Sequence, residues 1–400
     1  MIAGVIEGFY GPPWSFTERA TCLDRIAEWG GNWYVWAPKS EPRHREFWNE
    51  PFTTEEIAEF TALAARNSVR ISVGLTPGAE ATATDVVAKL RPVVEAGVHG
   101  ITLCFDDLPA LGAGRRHRDI ANDIAARFST EVWLVPTHYT GSERSPYLDE
   151  LCTYLDPRVL VMWTGAHVVN DRITAREARE RAATTGGRLP LVWDNTPVND
   201  ALMSEALHLG PYTGRETQLR EAVAGVLINP MEFALASLPT LCSALAWCAG
   251  RDHRAAWSDY VDAHGWRRLA EATAFPDDEH WPGARPSRDW WAEVAALPID
   301  DPAVEPWAKA AREGAALVGR ALDLADDPPA DPQHRAMAII GLAIAWRAWR
   351  RSSVLVFGAG PRLRPVLGND ATGRFTWNRS SFQDSASLVD DVVGRVIGSF

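Results

Sequence analysis

Over its first 230 residues the chain alternates short apolar runs with longer stretches of helical periodicity. The runs fall at 2–9, 33–38, 70–77, 100–107, 131–139, 159–165, 190–195 and 225–230, eight in all, rich in Val, Ile, Leu and Trp. Strands covered on both faces read as continuous apolar runs of this kind, which is the condition of a parallel sheet. Between them, 55–66 places Ile57, Phe60, Leu63 and Ala64 on one helical face, and 85–95 is similarly amphipathic. Thr53 and Glu56 stand three apart ahead of the first of these, the reciprocal pair that caps a helix start. Eight strand–helix units without a glycine-rich dinucleotide fingerprint predict an α/β fold closed into a (β/α)8 TIM barrel; the alternative is an open doubly wound sheet. The seventh helix, over 201–208, has the shortest pattern.

Beyond residue 250 the apolar runs stop. Segments 253–272, 288–297, 302–325 and 332–351 read as helices separated by Pro- and Asp-containing turns, and 388–397 reads as a last helix after a polar loop over 369–381. The expected organisation is a barrel over 1–250 and a C-terminal α-helical bundle over 251–400.

Composition narrows the function. With 46% hydrophobic and 23% charged residues the chain is a globular protein, not a disordered one. Its net charge of −12 argues against a nucleic-acid partner, since a phosphate backbone needs basic density. The most apolar run, 336–345, is followed by Trp346, Arg347, Arg350 and Arg351 and falls short of the roughly 20 residues of a membrane span. The opening MIAGVIEGFYG has no basic, cleavable leader, so the cytoplasm is the expected compartment. The five cysteines, Cys22, Cys104, Cys152, Cys242 and Cys248, have no CxxC or metal-like spacing and read as reduced thiols. Tryptophan outnumbers tyrosine 18 to 7, and most of these indoles are expected in the core, with some offering flat faces that suit sugars.

In such a barrel the chemistry sits at the carboxyl ends of the strands. Those ends carry Glu7-Gly8-Phe9-Tyr10-Gly11, Pro38-Lys39, Asp106-Asp107, Thr137-His138-Tyr139, Trp193-Asp194-Asn195 and Asn229-Pro230. Of the Asp-Asp doublets, only 106–107 follows directly on a buried-type run, Gly100 to Phe105. Two carboxylates so placed repel each other, so that one stays ionised while the other carries a proton, as acid–base work requires. No cluster with metal-ligand spacing accompanies them, and neither metal nor cofactor is expected. Glycosidases with two enzymic carboxylates take them from separate elements flanking the bond. Neighbours at one strand end suit instead a substrate that supplies its own nucleophile. Lysine is rare here, three of forty basic residues, so Lys39 at a strand end marks a place where a compact ammonium is wanted. Glu7 lies inside its run and reads as a structural carboxylate.

These strings, together with Tyr34-Val-Trp-Ala-Pro-Lys39, Pro42-Arg-His-Arg45, Met162-Trp-Thr-Gly165, Asn199-Asp200 and Leu209-Gly-Pro-Tyr212, run in order through all eight units. The sequence resembles glycoside hydrolase family 84, the O-GlcNAcase-type β-N-acetylglucosaminidases. The resemblance implies a retaining exo-β-N-acetylglucosaminidase that removes terminal GlcNAc, including from Ser/Thr of proteins, through an oxazoline intermediate. It implies that Asp106 orients the substrate's acetamido group and Asp107 is the acid/base. Tyr139 then bonds the acetamido oxygen, Trp193 walls the methyl pocket, and Gly8, Lys39, Asn195, Asp200 and Asn229 hold hydroxyls. Dimerisation through the helical part is also implied. Two departures stand out, Ser40-Glu41 where two acidic residues are expected and His138 where Glu is expected; neither falls on a catalytic position, and the sequence does not fix their effect on the rim. Competing readings are a hydrolase for small GlcNAc conjugates, such as cell-wall fragments or a glycosylated metabolite, and a catalytically silent GlcNAc-binding or scaffold protein. An endo-acting hyaluronan hydrolase is disfavoured by the acidic charge.

Overall fold

A computed structural model describes the chain apart from residues 67–68, 201–202, 300, 363–366, 370–374 and 378–382. The apolar runs become β1 (Ile2–Glu7), β2 (Trp33–Trp36), β3 (Arg70–Leu75), β4 (Gly100–Cys104), β5 (Glu131–Val135), β6 (Leu160–Trp163), β7 (Leu191–Asp194) and β8 (Gly225–Ile228). Neighbours pair in parallel, and β8 returns to β1 from Ile2↔Gly225 to Val5↔Ile228, closing the barrel. Its interior is filled by Ile6, Trp33, Val35, Cys104, Trp133, Val135, Met162, Leu191, Trp193 and Leu227. Trp33 and Trp133 meet there with ring centroids 4.5 Å apart. Alternate strand positions face outward, and Leu75, Leu103 and Leu134 join Val86, Leu90, Ile120, Ile124 and Leu148 under the surrounding helices.

The helices of the first six units are α1 (Phe16–Glu28), α2 (Thr54–Ala64), α3 (Ala83–Glu95), α4 (Gly114–Arg127), α5 (Pro146–Cys152) and α6 (Ala175–Thr184). Capping boxes start four of them, at Ser15/Glu18, Thr53/Glu56, Thr82/Asp85 and Thr174/Glu177. Each satisfies two otherwise orphaned backbone donors, worth about 1 kcal/mol, and fixes where a rim loop ends.

The seventh unit differs from expectation. Residues 203–208 form no α-helix, Met203 being 3-10 and the rest turn or irregular; the described connection to β8 contains a 3-10 helix, Thr217–Glu221. Tertiary contacts override propensity here: Met203, Ala206, Leu207 and Leu209 are all buried, on more sides than one helical stripe provides. Backbone carbonyls of Glu205 and Leu209 accept from the Trp307 and Trp257 indoles at 3.0 and 2.7 Å. After β8 comes α7 (Ala234–Cys248), buried along most of its length.

The chain divides into two compact units. One comprises 1–200, 212–253 and 363–382 and holds the barrel; the other comprises 201–211, 254–362 and 383–400. The second unit contains α8 (His253–Ala263, from residue 254), α9 (Arg267–Ala272), α10 (Arg288–Ala295), α11 (Glu305–Asp326), α12 (Pro332–Ser352) and, at its end, α13 (Leu388–Gly398). Helices α10, α12 and α13 pack against α11, and the Trp349 indole donates to the Ala310 carbonyl at 2.9 Å. Two short antiparallel ladders interrupt the helical pattern. They pair β9 (Gly360–Arg362) with β12 (Gln383–Ser385), and β10 (Leu367–Asn369) with β11 (Phe375–Trp377). The expected loop over 369–381 is therefore strand at Asn369 and Phe375–Trp377, while 370–374 and 378–381 lie outside the described residues. No described helix is long and apolar enough to cross a membrane.

Candidate active site

The carboxyl-terminal rim is built around the turn that ends β4. Phe105 N–H continues the ladder to Val135 O at 2.9 Å, and the Thr137 hydroxyl holds the Phe105 carbonyl at 2.8 Å. Asp106 and Asp107 follow. Asp107 takes a left-handed φ of 60°, uncommon outside glycine, and its surroundings hold it. They do so from three strands: Tyr10 donates to Asp107 Oδ2 at 3.0 Å, Tyr139 to Oδ1 at 3.3 Å, and Arg45 lies 3.5 Å from Oδ2.

Asp106 is buried and its Oδ2 is ion-paired with Lys39 Nζ. Its other oxygen, Oδ1, is buried without any hydrogen-bond partner. Burial works to discharge Lys39, but the Asp106 carboxylate outweighs it and holds the ammonium above its ordinary range. The ammonium also lies 5.2 Å from the Trp193 ring centroid. Burial, then the negative charges of Asp107 and Asp106, push the Tyr139 phenol well above its usual value, so it stays a donor.

Trp193 packs directly onto the backbone after β1: a Cβ on Gly8 would fall 2.1 Å from Trp193 Cζ2, so only glycine fits. An amide chain then ties β1, β7 and β8 together. Gly8 N–H donates to Asn229 Oδ1 at 3.1 Å, Asn229 Nδ2 to Asn195 Oδ1 at 2.8 Å, and Trp193 Nε1 to the same oxygen at 3.0 Å. Asn195 Nδ2 donates to Val168 O at 2.7 Å. Each amide nitrogen thus retains one further N–H, and Gly8 its carbonyl. Asp200 Oδ2 accepts the Tyr10 backbone N–H at 2.8 Å. Burial, aided by Asp107 and opposed by that N–H and Lys39, raises the Asp200 carboxyl.

All nine residues singled out from the sequence therefore join one network at this rim. Two strand-end acids do not take part. Glu7 is fully buried among Arg19, the Trp14 backbone N–H and the Tyr34 hydroxyl, as its place within the strand predicts. Asp194 is likewise enclosed by Tyr212 and Arg215. Sequence reasoning assigned no role to Tyr10 and Arg45, although both lie in the strings that carry the resemblance. Arg45 donates to the Tyr10 hydroxyl at 2.7 Å, and the pair closes on Asp107.

The His138 side chain is buried, with Nδ1 2.7 Å from Oγ of Ser145, the residue that caps α5. Neighbours along an extended chain face opposite ways, and Tyr139 takes the inward side. Ser40 is on the rim, its hydroxyl accepting Gly11 N–H at 3.1 Å. Among the described residues, no group of three or more His, Cys, Asp or Glu is placed to hold a metal ion.

The structure is thus a closed parallel barrel with two adjacent carboxylates at its carboxyl-terminal rim, one ion-paired and one ringed by phenols. Residues 3–275 match the family described as beta-N-acetylglucosaminidase, and the chain belongs to this family of glycoside hydrolases. Among curated proteins it is 33% identical over 256 residues to Protein O-GlcNAcase of Rattus norvegicus and, to the same degree, of Mus musculus. Those matches span 57% of this chain but only 28% of each relative. Among solved structures, a Thermobaculum terrenum O-GlcNAc hydrolase variant superposes with a TM-score of 0.79 at 21% identity, covering 99% of this chain and 94% of that one. The structure named CpGH84B superposes with a TM-score of 0.77 at 20% identity, covering 100% of this chain and 76% of that one. At such identities these two likenesses speak for the fold.

Proposed function

We propose that the protein is a retaining exo-β-N-acetylglucosaminidase that releases terminal β-linked GlcNAc, including O-GlcNAc from Ser/Thr of proteins, by substrate-assisted catalysis. The observation that carries this reading is Asp106: one oxygen neutralised by Lys39, the other buried and without a donor. A buried carboxylate oxygen left unpaired is costly, and the N–H of a 2-acetamido group supplies what it lacks. Bound there, the acetamido carbonyl is turned onto the anomeric carbon, with Tyr139 donating to its oxygen and Trp193 beside its methyl. Asp107 protonates the leaving oxygen as the acetamido oxygen attacks, giving an oxazoline. It then takes a proton from the water that reopens the ring. Two inversions at one carbon return the starting configuration. Lys39, Asn195, Asp200, Asn229 and the Gly8 carbonyl hold the sugar hydroxyls.

The relatives' name, Protein O-GlcNAcase, supports the protein-linked substrate. Assaying an O-GlcNAc peptide beside an aryl GlcNAc glycoside and a GlcNAc disaccharide tests it. The reading predicts turnover of peptide and aryl glycoside. Turnover of the disaccharide alone would transfer the assignment to small conjugates, and no turnover of any would leave a GlcNAc-binding protein. The proposed setting is the cytoplasm. The proposed assembly is a homodimer through α12, whose Met337, Ile340 and Ile344 stand exposed along one helical face.

A further inference from the structure

Tyr139 has one hydroxyl proton and two claimants. In the free protein it donates to Asp107 Oδ1 at 3.3 Å. The opposite oxygen, Oδ2, is held by Tyr10 at 3.0 Å and faces Arg45 at 3.5 Å. Arg45 also donates to the Tyr10 oxygen at 2.7 Å, which directs the proton of that phenol onto Asp107. The two carboxylate oxygens are therefore held unequally: Oδ2 by a two-member clamp, Oδ1 by a single phenol. The function proposed above gives Tyr139 a second acceptor, the acetamido oxygen. A phenol offers one proton, so seating that oxygen draws Tyr139 away from Asp107.

We infer that the acetamido group itself arms the general acid: by recruiting the Tyr139 hydroxyl, it uncovers Asp107 Oδ1 and lets that oxygen take a proton from solvent. This rests on the substrate-assisted reading and adds two things to it, which oxygen carries the proton and why it does so when substrate is seated. Losing a hydrogen-bond donor disfavours the charged form of a carboxylate. The step is a simple proton balance. One O–H bond forms at Oδ1 on seating, and its proton passes to the leaving oxygen. The carboxylate then takes a proton from the attacking water, and that proton returns to solvent when the product leaves and Tyr139 closes on Oδ1 again. Oδ2 stays clamped by Tyr10 and Arg45 throughout.

The charged and titratable groups facing Asp107 are Tyr10, Lys39 and Arg45 from the β1 and β2 loops, Asp106 beside it, Tyr139 after β5 and Asp200 after β7. On seating of the acetamido group Asp106 gains an N–H, but that change is common to the native protein and a Tyr139→Phe variant. Comparing the two isolates the Tyr139 switch.

Calorimetric titration with 1-deoxy-GlcNAc (1,5-anhydro-N-acetylglucosaminitol), which keeps the acetamido group and has no glycosidic bond to break, in two buffers of different ionisation enthalpy counts the protons taken up. The native protein is expected to take up a measurable fraction of a proton, at most about one per site, at a pH where it is active. Tyr139→Phe is expected to bind with little or no uptake, and Tyr10→Phe to retain it. No uptake by the native protein at any pH where it is active, or equal uptake by Tyr139→Phe, overturns the inference. Failure of the native protein to bind 1-deoxy-GlcNAc and to hydrolyse an aryl GlcNAc glycoside overturns the functional reading instead.

Discussion

Replacing Gly8 with alanine adds one methyl at the tightest point of the site. The new Cβ would lie 2.1 Å from Trp193 Cζ2 and 2.7 Å from Cη2. Carbon atoms settle near about 3.5 Å, so the ring must retreat by about 1.4 Å or the β1 backbone must yield as far. Such a retreat stretches the 3.0 Å bond from Trp193 Nε1 to Asn195 beyond hydrogen-bonding range and moves the wall proposed for the acetamido methyl. A lost hydrogen bond of about 1 kcal/mol and overpacking of about 1–3 kcal/mol add to about 2–4 kcal/mol. Spent on ground-state and transition-state geometry together, this lowers kcat/KM on an aryl GlcNAc glycoside by about 30- to 1000-fold. The two residues act on each other, so the double variant Gly8→Ala/Trp193→Phe should melt higher than additivity of the singles predicts. A Gly8→Ala protein with native kcat/KM and native melting temperature would refute the reasoning.

Other substitutions probe the charges. Lys39→Met leaves the buried Asp106 carboxylate uncompensated and should cost about 3–5 kcal/mol of folding stability, read by denaturant unfolding, together with most of kcat; a stable, active variant would deny the ion pair its role. Asp107→Ala should slow glycosides with poor leaving groups far more than activated aryl ones, and equal losses would move the acid elsewhere. Burial, with neighbouring cations such as Lys39 near His44 and Arg116 near His117, lowers both imidazoles to about 3 in the folded chain. The unfolded chain protonates them below about pH 6.5, so it binds more protons in that window and stability falls as pH drops from about 6.5 towards 3. Thermal melts across that range should show the decline, and His44→Gln should flatten it. Ile340→Glu on α12 should convert a dimer to a monomer in light scattering without altering the barrel's activity; an unchanged mass would contradict the proposed assembly.

The barrel was legible because burial on both faces writes itself into every strand as an unbroken apolar run. Asp106 and Asp107 were legible for the same reason: theirs is the doublet that directly extends such a run. Scarcity of lysine pointed to Lys39, which the structure pairs with Asp106. What escaped was long-range. Tyr10 and Arg45 reach Asp107 from 97 and 62 residues away, and nothing local marks either as its partner. Residues 203–208 carry helix-forming side chains but give up the helix to burial on several sides. Strands of three residues, as in β9 to β12, are too short to show a period of two. The turn of His138 away from Tyr139's side had a signal, the alternation that sends neighbouring side chains to opposite faces.

The central claim is that the attacking atom belongs to the substrate. Fluorine on the N-acetyl methyl withdraws electron density from the acetamido oxygen, which Asp106 and Tyr139 are proposed to hold as an intramolecular nucleophile of high effective molarity. The decisive measurement is kcat/KM for aryl glycosides with acetyl, mono-, di- and trifluoroacetyl groups. The account predicts a progressive fall across the series, with retention of anomeric configuration. A flat response, or a trapped covalent glycosyl–aspartate, would contradict it.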